Sequence, residues 1–248
     1  MKPTGNTILM TGGGSGIGQA LAHRLHADGN RVIVAGRRRA ALDETIAGRD
    51  GMAAAVLDIE DPAAIADFAA TLIADHPALN VVINNAGIMR MEDLTTARDL
   101  AAAEAMIVTN LLGPIRLTNA LVDHLMAQPD AAIVNVTSGL AFVPLVAGPT
   151  YSATKAAMHS YTLSLRHQLH GRVEVIELAP PGVQTDLTPG QAVRDGYMPL
   201  KDYIDEVMGL FGQRPTPAEI LVDRVKMLRH AEADGQFDQV MAGLNGAV

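Results

Sequence analysis

The stretch Thr11-Gly12-Gly13-Gly14-Ser15-Gly16-Ile17-Gly18 follows directly on a short apolar and β-branched run at residues 7–10. A glycine turn in this position lets backbone N–H groups approach a pyrophosphate at the N-terminus of the helix that it opens. Alone it is a weak signal, because a plain strand-to-helix corner contains the same residue types. The stretch predicts a first strand, a turn and a first helix, with Gly12, Gly16 and Gly18 as candidate cofactor-binding residues.

Outward from this turn, short apolar runs recur along the chain, and segments of helix-compatible composition lie between them. The runs are at residues 31–35, 52–57, 80–83, 131–136 and 172–178, and Asp61-Pro62 predicts a capped helix start. Strands that alternate with helices require right-handed crossovers and a parallel sheet covered on both faces. The pattern predicts an α/β fold with a doubly wound parallel sheet of about seven strands, formed as a single domain over residues 1–248.

The composition excludes several function classes. The 248 residues are 48% apolar, 19% charged and 3% aromatic, carry a formal net charge of −8 and include no cysteine. We expect no nucleic-acid partner, because the chain has neither a basic patch nor many aromatic rings. Without cysteine there is no disulfide, thiolate metal site or cysteine nucleophile. The first strand begins too early for a signal peptide, and no apolar run approaches the ~18 residues that span a bilayer. We therefore expect a soluble cytoplasmic protein with no membrane partner.

Residues 180–217 differ in composition from the rest of the chain. Prolines and glycines are frequent there, around a short amphipathic stretch at residues 202–210. A connection this long between core elements is usually functional and often covers a site. We expect a substrate lid at about residues 184–215, and the alternative is a surface excursion without a role at the site.

The second predicted strand ends at Gly36 and is followed by Arg37, Arg38 and Arg39. A protein that uses NAD is expected to carry an acidic residue here for the ribose 2′-hydroxyl. Three cations at the start of a helix face the positive end of its dipole, which is unfavourable unless an anion compensates them. The 2′-phosphate of NADP would do so. NADP is therefore the favoured cofactor and NAD the alternative, and a solvated basic helix start would need neither.

Two further strand ends carry candidate cofactor residues. Asp58, just after the third strand, can accept a hydrogen bond from an adenine amino group, and it can equally be an ordinary turn aspartate. Asn84, Asn85, Ala86 and Gly87 end the fourth strand. Small residues there let a flat ring and its ribose lie against the backbone, and the asparagine side chains can tie neighbouring strand ends together.

Tyr151 and Lys155 lie four residues apart on a predicted helix, so they share one face. An isolated tyrosine has a pKa of about 10, and lowering it to ~7 requires about 4 kcal/mol of differential stabilisation. A unit charge ~4 Å away contributes about that amount at an effective dielectric constant of ~20. We expect Lys155 to lower the pKa of Tyr151 until the phenol is a usable proton donor near neutral pH. The spacing is common by chance, and the alternative is a pair on the helix surface.

Ser138 adds specificity to this pair. It lies at the C-terminal end of the fifth predicted strand, and Tyr151 opens the following helix, so both are expected above one sheet edge, where ligands bind. Ser138 can donate a hydrogen bond to a substrate carbonyl oxygen. Asn110, on the helix before that strand, can hold a water molecule that reaches Lys155.

Together these motifs resemble the short-chain dehydrogenase/reductase family, in the right order over nearly the whole chain. The matching positions are residues 11–18 and 84–87, Asn110, Ser138, Tyr151, Lys155 and Pro181-Gly182. The resemblance implies a Rossmann fold, with Tyr151 as the general acid/base. It implies that Lys155 binds the nicotinamide ribose and lowers the pKa of the tyrosine. It further implies that Ser138 orients the carbonyl and that Asn110 maintains a proton relay.

The resemblance also implies a set of cofactor contacts. They come from Gly12, Ser15, Gly16, Ile17, Gly18, Arg37, Arg38, Asp58, Ile59, Asn85, Ala86, Gly87, Tyr151, Lys155, Pro181, Gly182, Val183 and Thr185.

The chain departs from the family pattern in two places. Ser15 stands where many NADP-using members carry a basic residue, which leaves NAD open. The family often ends in a glycine-rich strand that pairs across a tetramer axis, whereas residues 218–228 here indicate a strand passing into a helix. In this feature, in residues 138–144 and in residues 243–248, the chain is similar to a bacterial subgroup of D-alanine-transfer-associated oxidoreductases. We expect a homodimer through helices at about 110–126 and 152–170, with a tetramer as the alternative.

The residues around the reacting centre are mainly apolar. Substrate contacts are expected from Ser138, Leu140, Leu145 and Tyr197. Such a pocket favours a small, neutral, hydrophobic ketone or secondary alcohol. Arg90 and Arg194 are either carboxylate ligands or solvated surface arginines.

The sequence therefore predicts an NADP-dependent oxidoreductase that interconverts a ketone and a secondary alcohol by hydride transfer. One alternative is an NAD-dependent alcohol dehydrogenase of the same family, and another is a non-catalytic protein that senses the cofactor. Metal-dependent hydrolysis would need a ligand cluster. His167 and His170 are expected only to decorate a helix end, where an imidazolium is favourable. No further ligands converge in the sequence, so we expect no metal site.

Overall fold

Seven parallel strands form one sheet in residues 1–246, the part of the chain that this computed structural model describes. The strands are β1 (Thr7–Thr11), β2 (Arg31–Gly36), β3 (Met52–Val56), β4 (Leu79–Asn84), β5 (Ala132–Val136), β6 (Glu174–Leu178) and β7 (Glu219–Ile220). Their order across the sheet is β3-β2-β1-β4-β5-β6-β7. The expected doubly wound α/β sheet is thereby confirmed, with the Rossmann strand order.

Helices cover both faces of the sheet. They are α1 (Gly16–Ala27), α2 (Arg39–Ile46), α3 (Pro62–Asp75), α4 (Ala101–Ile107), α5 (Gly113–Met126), α6 (Pro149–Gln168), α7 (Leu200–Phe211), α8 (Asp223–His230) and α9 (Phe237–Asn245). A π-helical turn, Val108–Leu112, joins α4 to α5 without a break. Short 3₁₀ turns form at Gly139–Ala141 and Gln191–Val193.

The central strands are buried on both faces, as a parallel sheet with helices on each side requires. Successive side chains of β1 point to opposite faces: Ile8 and Met10 pack into one apolar cluster and Leu9 into the other. Ile33 of β2 and Ile83 of β4 are likewise inaccessible to solvent. The near-continuous apolar runs of the sequence are thus explained by burial on two sides.

The strand order reverses at β1, which pairs with β2 on one side and with β4 on the other. In open α/β sheets, ligands bind at the C-terminal ends of the strands next to such a reversal. Thr11, Asn84 and Val136 end β1, β4 and β5 at this edge. The topology therefore defines one crevice in which to look for a site.

Most expected boundaries agree with the structure to within two residues. Asp61 caps α3, since its Oδ1 accepts hydrogen bonds from the N–H groups of residues 63 and 64 at 2.8 and 3.3 Å. This confirms the predicted helix start. β6 begins at Glu174 instead of residue 172, because residues 172 and 173 still donate their N–H groups to Leu169 O in the turn after α6.

One helical stretch is long and apolar enough to cross a bilayer by length and composition, so the expectation that none approaches that length is wrong. Because the π-helical turn joins α4 to α5, Ala101–Met126 is a continuous helix of 26 residues, and its most apolar 18-residue window has a mean hydropathy of 1.3. Of its most apolar window, 44% is buried, and α5 packs against α3 and β4. Core helices of soluble proteins share these properties.

Residues 180–217 combine a loop with a packed helix. The loop is held together where Gln184 N donates to Met198 O at 2.9 Å and Met198 N donates to Gly182 O at 2.8 Å. α7 follows it and buries Tyr203 and Phe211 in the main core beside α1. The two halves of the segment are therefore anchored differently.

The C-terminal part confirms the expected strand that passes into a helix, since β7 leads into α8. α9 then ends at Asn245. Ala247 and Val248, the last residues of the expected domain and of the 243–248 segment, lie outside the described residues.

Candidate active site

The turn after β1 requires glycine because it packs backbone against backbone on the end of β4. Gly12 and Gly16 have φ angles of +66° and +55°, which favour glycine. A Cβ atom on Gly12 would lie 2.9 Å from the Cα of Ala86, and one on Gly18 would overlap Gly12 O and Asn85 Nδ2. The shape of the turn therefore depends on all three glycines.

Polar side chains hold the ends of β1 and β4 together. Thr11 Oγ1 accepts hydrogen bonds from Asn85 N at 3.0 Å and Ala86 N at 3.1 Å, and Asn85 Nδ2 donates to Thr11 O at 2.9 Å. One strand further, Asn84 Nδ2 donates to Asn135 Oδ1 at 2.8 Å. These bonds confirm that the asparagines tie neighbouring strand ends together.

Two adjoining cavities, each of about 310 Å³, open at this edge of the sheet. Gly12, Ser15, Ala86, Gly87 and Ile88 line both. The first cavity extends over the ends of β1, β2 and β3, and the second extends towards the ends of β5 and β6. Their joint span matches an elongated ligand that lies across the topological reversal.

Arg37 and Arg38 line the first cavity. Arg37 Nη1 pairs with Glu60 Oε1 at 3.0 Å, and Arg38 Nη2 donates to Ser15 Oγ at 3.4 Å. Arg39 is not part of this group, because its guanidinium binds the carboxylate four residues on in α2. Among the described residues Arg38 has no carboxylate partner, so it is free to meet an anion.

The second cavity brings Ser138, Tyr151 and Lys155 together. Ser138 follows β5 and caps the 3₁₀ turn, where its Oγ accepts a hydrogen bond from Leu140 N at 3.1 Å. Tyr151 and Lys155 lie in the first two turns of α6. The Nζ atom of Lys155 donates to Val136 O at 2.9 Å and lies 5.6 Å from the centroid of the Tyr151 ring.

Burial controls the protonation of this pair. Burial raises the pKa of Tyr151 to about 12, Ser138 acts in the opposite direction through a hydrogen bond, and Tyr197 raises it further. Burial also lowers the pKa of Lys155 to about 8. The expected lowering of the tyrosine pKa by Lys155 is therefore wrong for this structure. Loss of hydration is the largest cause of the shift, and Lys155 is not among the groups that move the pKa of the tyrosine.

Asn110 lies behind the cavity, in the π-helical turn, a rare element that is frequent at functional sites. Its Oδ1 accepts from Ile88 N at 2.8 Å, and its Nδ2 donates to Ile88 O at 2.9 Å and to Thr154 Oγ1 at 3.3 Å. A Cβ atom on Gly87 would lie 3.3 Å from Asn110 Oδ1 and 3.7 Å from Lys155 Nζ. The amide and the amine thus flank the same glycine.

Most candidate residues line one of the two cavities. They are Gly12, Ser15, Gly16, Ile17, Gly18, Arg37, Arg38, Ile59, Asn85, Ala86, Gly87, Ser138, Tyr151, Lys155, Pro181, Val183 and Thr185. Those outside the lining are Asp58, Asn110, Leu140, Leu145, Gly182 and Tyr197.

The candidates outside the lining have identifiable surroundings. Leu140 and Leu145 pack in the small apolar cluster that contains Tyr151. The ring of Tyr197 would lie 3.1 Å from a Cβ atom on Gly182, so Gly182 gives it room. Asp58 is exposed, and its Oδ1 accepts a hydrogen bond from the N–H of residue 60 at 3.0 Å.

Sequence reasoning missed three polar residues of the second cavity, Thr137, Asp186 and Gln191. Gln191 is buried and donates to Val183 O at 2.8 Å and to Thr185 Oγ1 at 3.1 Å, so it shapes the loop after β6. Nothing in the sequence marks this glutamine. Thr137 precedes Ser138, and its position at a strand end was the available signal.

Three side chains of metal-ligand type converge next to this cavity, which the sequence did not indicate. Ligand atoms of His159, Glu177 and Glu219 lie within 4.8 Å of one another. Each has a partner already: His159 Nδ1 is 2.7 Å from Glu177 Oε2, and both oxygens of Glu219 bind Arg229 at 3.0 Å. The cluster is therefore explained as a network of hydrogen-bonded side chains.

The residues of the two cavities fit a nicotinamide dinucleotide that carries a 2′-phosphate. The glycine turn leaves no room for side chains where a pyrophosphate would approach the start of α1. Beyond it, Arg37 and Arg38 stand where an acidic residue would select an unphosphorylated ribose. The second cavity then places a phenol, a hydroxyl and an amine around the remaining space.

Comparison with known families agrees with this geometry. Residues 6–194 match the family model described as short chain dehydrogenase. These residues include both cavities up to the loop after β6.

Individual proteins extend the comparison. The chain is 40% identical over 247 residues to the Bacillus subtilis (strain 168) protein named "Uncharacterized oxidoreductase DltE", covering 97% of this chain and 98% of that protein. It is 32% identical over 175 residues to the NADP-dependent 3-hydroxy acid dehydrogenase YdfG of Shigella flexneri, covering 70% and 71%. It also resembles a short chain dehydrogenase from Burkholderia cenocepacia J2315 in complex with NADP, with a TM-score of 0.82, 26% identity, and coverage of 98% and 99%.

The burial of Lys155 predicts a pH-dependent stability. Because its pKa falls from 10.5 to about 8, charged Lys155 destabilises the fold below about pH 8, and this cost disappears as the pH rises towards 10.5. In Lys155→Met the cost is absent throughout. Between about pH 7 and about pH 9.5, the unfolding free energy of the cofactor-free wild type should rise by about 2 kcal/mol relative to this variant.

Urea unfolding at both pH values measures this difference. Lys226→Met, the same substitution on the exposed surface of α8, is the control. Its unfolding free energy should rise with pH as that of the wild type does. A constant difference between wild type and Lys155→Met would contradict the burial of a charged amine.

Proposed function

The chain belongs to the short-chain dehydrogenase family, and we propose that it is an NADP-dependent oxidoreductase that interconverts a ketone and a secondary alcohol. The observation that carries the proposal is the cavity in which Ser138, Tyr151 and Lys155 adjoin the glycine turn. A non-catalytic cofactor sensor would need the turn but would have no use for a buried phenol and amine beside it.

A bound nicotinamide would supply hydride to the carbonyl carbon. The residues of the chain act on the oxygen: the Ser138 hydroxyl donates a hydrogen bond to it, and Tyr151 donates its proton. With a pKa of about 12, the phenol remains protonated at neutral pH, as ketone reduction requires. Lys155 holds the ribose through Nζ and, when protonated, stabilises the phenolate that proton transfer leaves. In alcohol oxidation the same groups act in reverse.

We assign the cofactor contacts as follows. The turn with Gly12, Gly16 and Gly18 holds the pyrophosphate, and Arg37 with Arg38 holds the 2′-phosphate. The named NADP dependence of the Shigella relative and the NADP in the Burkholderia structure support this choice over NAD. Asn110 remains the proposed support of a proton relay behind Lys155.

We propose a single catalytic domain over residues 1–248 with a lid at about 184–215. Thr185, Asp186 and Gln191 line the second cavity from this segment. α7 buries its apolar face in the core and pairs Asp205 with Arg24 of α1. We therefore assign the movement of the lid to the loop before α7. The helix α7 itself stays fixed and supports that loop.

The substrate class rests on two features of the second cavity. Leu140, Leu145 and Leu187 cluster around Tyr151, which favours the small, neutral, hydrophobic ketone expected from the sequence. Arg90 also lines the cavity, and among the described residues its guanidinium donates only to Met89 O at 3.0 Å and has no carboxylate partner. It favours a second candidate, a 3-oxo acid or 3-hydroxy acid, in line with the name of the Shigella relative.

We propose a homodimer in the cytoplasm, formed through the outer surfaces of the helices at about 110–126 and 152–170. Leu112 and Leu163 on these helices are 36% and 44% exposed, and Ile107, which precedes the first of them at the end of α4, is 40% exposed. Three partly exposed apolar side chains on adjacent helices provide a surface that a second copy can cover.

Removal of the proposed general acid tests the reaction. Tyr151→Phe should lower kcat for reduction of the best neutral ketone by at least about a hundredfold, because the carbonyl oxygen loses its proton donor. NADPH oxidation with acetophenone, cyclohexanone and methyl 3-oxobutanoate measures it. Tyr161→Phe removes a half-buried hydroxyl from the same helix and should retain wild-type rates. A loss within about tenfold for Tyr151→Phe, below ~1.4 kcal/mol, would exclude the assigned role.

The cofactor assignment predicts a change of preference. Wild type should prefer NADPH over NADH in kcat/KM, and Arg37→Ala with Arg38→Ala should abolish the preference by weakening NADPH binding about tenfold or more. Arg39→Ala is the matched control, because its side chain points away from the cavity. A wild type that prefers NADH would end the assignment.

The two substrate classes can be separated with one pair of compounds, 3-oxobutanoate and its neutral methyl ester. If Arg90 binds a carboxylate, Arg90→Gln should raise KM for the acid about tenfold to a hundredfold and leave KM for the ester within about twofold. Equal effects on both compounds would remove the acid candidate and leave the neutral ketone.

The dimer predicts a specific sensitivity to charge. Sedimentation velocity should give a dimer for wild type, and Leu163→Glu should shift it towards monomer, since a charge would be buried without a partner. Met227→Glu places the same charge on an exposed methionine of α8 and should remain dimeric. A tetrameric wild type would contradict the proposal.

A further inference from the structure

Glu177 of β6 is a carboxylate with no access to solvent, and the reaction described above makes no use of it. Its Oε1 accepts a hydrogen bond from Thr137 Oγ1 at 2.7 Å, and its Oε2 lies 2.7 Å from His159 Nδ1. Burial of a carboxylate is costly unless it is paired and hydrogen-bonded. Both carboxylate oxygens of Glu177 are bound, so its partners show which part of the structure this side chain holds in place.

What it holds is the residue directly before Ser138. Thr137 is 1% exposed and has just left β5. The backbone on either side of the serine is also bound to the end of β6 and to the segment after it: Thr137 N donates to Leu178 O at 2.9 Å, and Gly139 N donates to Pro180 O at 2.8 Å. With the backbone fixed at these two points, the Thr137–Glu177 bond is the only side-chain hydrogen bond of residue 137 among the described residues.

Charged and aromatic groups surround the carboxylate and complete its environment. His159 comes from α6, Glu219 from β7 and Arg229 from α8. Arg229 lies over the ring of Phe142 at 4.9 Å, and this ring meets His159 edge-on at 5.1 Å. With Arg229 already bound to Glu219, His159 is the partner that faces Glu177. This network contacts both ends of the stretch 137–142, at Thr137 and at Phe142.

α8 also presses directly on the residue after the serine. A Cβ atom on Gly139 would lie 2.6 Å from Leu228 Cδ1 and 2.8 Å from Val225 Cγ2. The turn that carries Ser138 thus has three contacts: Thr137 binds Glu177, Phe142 packs against Arg229 and His159, and Gly139 packs against α8. Of these contacts, only the one through Thr137 joins a carboxylate to the residue immediately before Ser138.

We propose that Glu177 is a positioning residue that orients Ser138 through the hydroxyl of Thr137. The inference rests on the proposed function, because its effect is on how Ser138 meets the carbonyl oxygen. Loss of the Thr137 hydroxyl should therefore disturb the reaction step and leave cofactor binding unchanged.

Thr137→Val tests the link, since it removes the hydroxyl and keeps the shape of the side chain. With NADPH and the neutral ketone that wild type reduces fastest, it should lower kcat about tenfold, with the dissociation constant of NADPH within about twofold of wild type. In a Ser138→Ala background the same substitution should change kcat by less than about twofold, because Thr137 then has no serine to orient. Circular dichroism confirms that each full-length variant is folded.

The outcomes separate the alternatives. Equal losses in both backgrounds would indicate a merely structural threonine and overturn the inference, as would an unchanged kcat in the wild-type background. If Thr137→Val does not fold, Thr137→Ala removes the same hydroxyl without added bulk and takes its place.

If turnover of Ser138→Ala falls below detection, the kcat of Thr137→Ser in the wild-type background tests the inference instead. Its retained hydroxyl should keep kcat within about threefold of wild type, and a loss as large as that of Thr137→Val would overturn the inference. A wild type that reduces no ketone in the panel would overturn the proposed function together with this inference. An active wild type with an unaffected Thr137→Val would overturn the inference alone.

Discussion

The close approach between the glycine turn after β1 and the end of β4 is the constraint on which the rest of the site depends. Gly12 and Gly18 have no room for a Cβ atom, because Ala86 and Asn85 lie against them. The Oγ1 atom of Thr11 accepts hydrogen bonds from the backbone N–H groups of Asn85 and Ala86. The strand order reverses at this contact, so the two cavities meet there, and one extends towards the end of β3 and the other towards the end of β6. A larger residue at Gly12 or Gly18 would push the glycine turn away from the end of β4.

The reacting centre shows how burial and charge compete. An ammonium about 4 Å from a phenol has enough Coulomb energy in a partly polar medium to lower its pKa by several units. In this structure both groups are withdrawn from water, and burial moves the two pKa values in the directions that favour neutral forms. A neutral Tyr151 is the form that donates a proton to a carbonyl. Burial thereby suits the reductive direction of the proposed reaction, in which Lys155 would act mainly on the phenolate that proton transfer leaves.

The C-terminal third of the chain contributes to the site from behind. Glu177 on β6 and Arg229 on α8 lie beside the turn that carries Ser138, and α8 leaves Gly139 no space for a side chain. None of these residues borders the glycine turn. The turn that carries Ser138 therefore packs against residues of β6 and α8, whereas the glycine turn and the two arginines proposed to hold the cofactor lie in the first half of the sheet.

The sequence by itself determined the order of strands and helices, the glycine turn, the cation pair after β2 and the identities of Ser138, Tyr151 and Lys155. These follow from local patterns, since burial on two faces, turn geometry and helix spacing leave their mark on adjacent residues. Only the tertiary structure decided the protonation of Tyr151 and Lys155, the pairing of Arg37 with Glu60, and the network around Glu177. Each of these depends on the distance and burial of groups that the chain brings together from remote positions, and no local pattern records such distances.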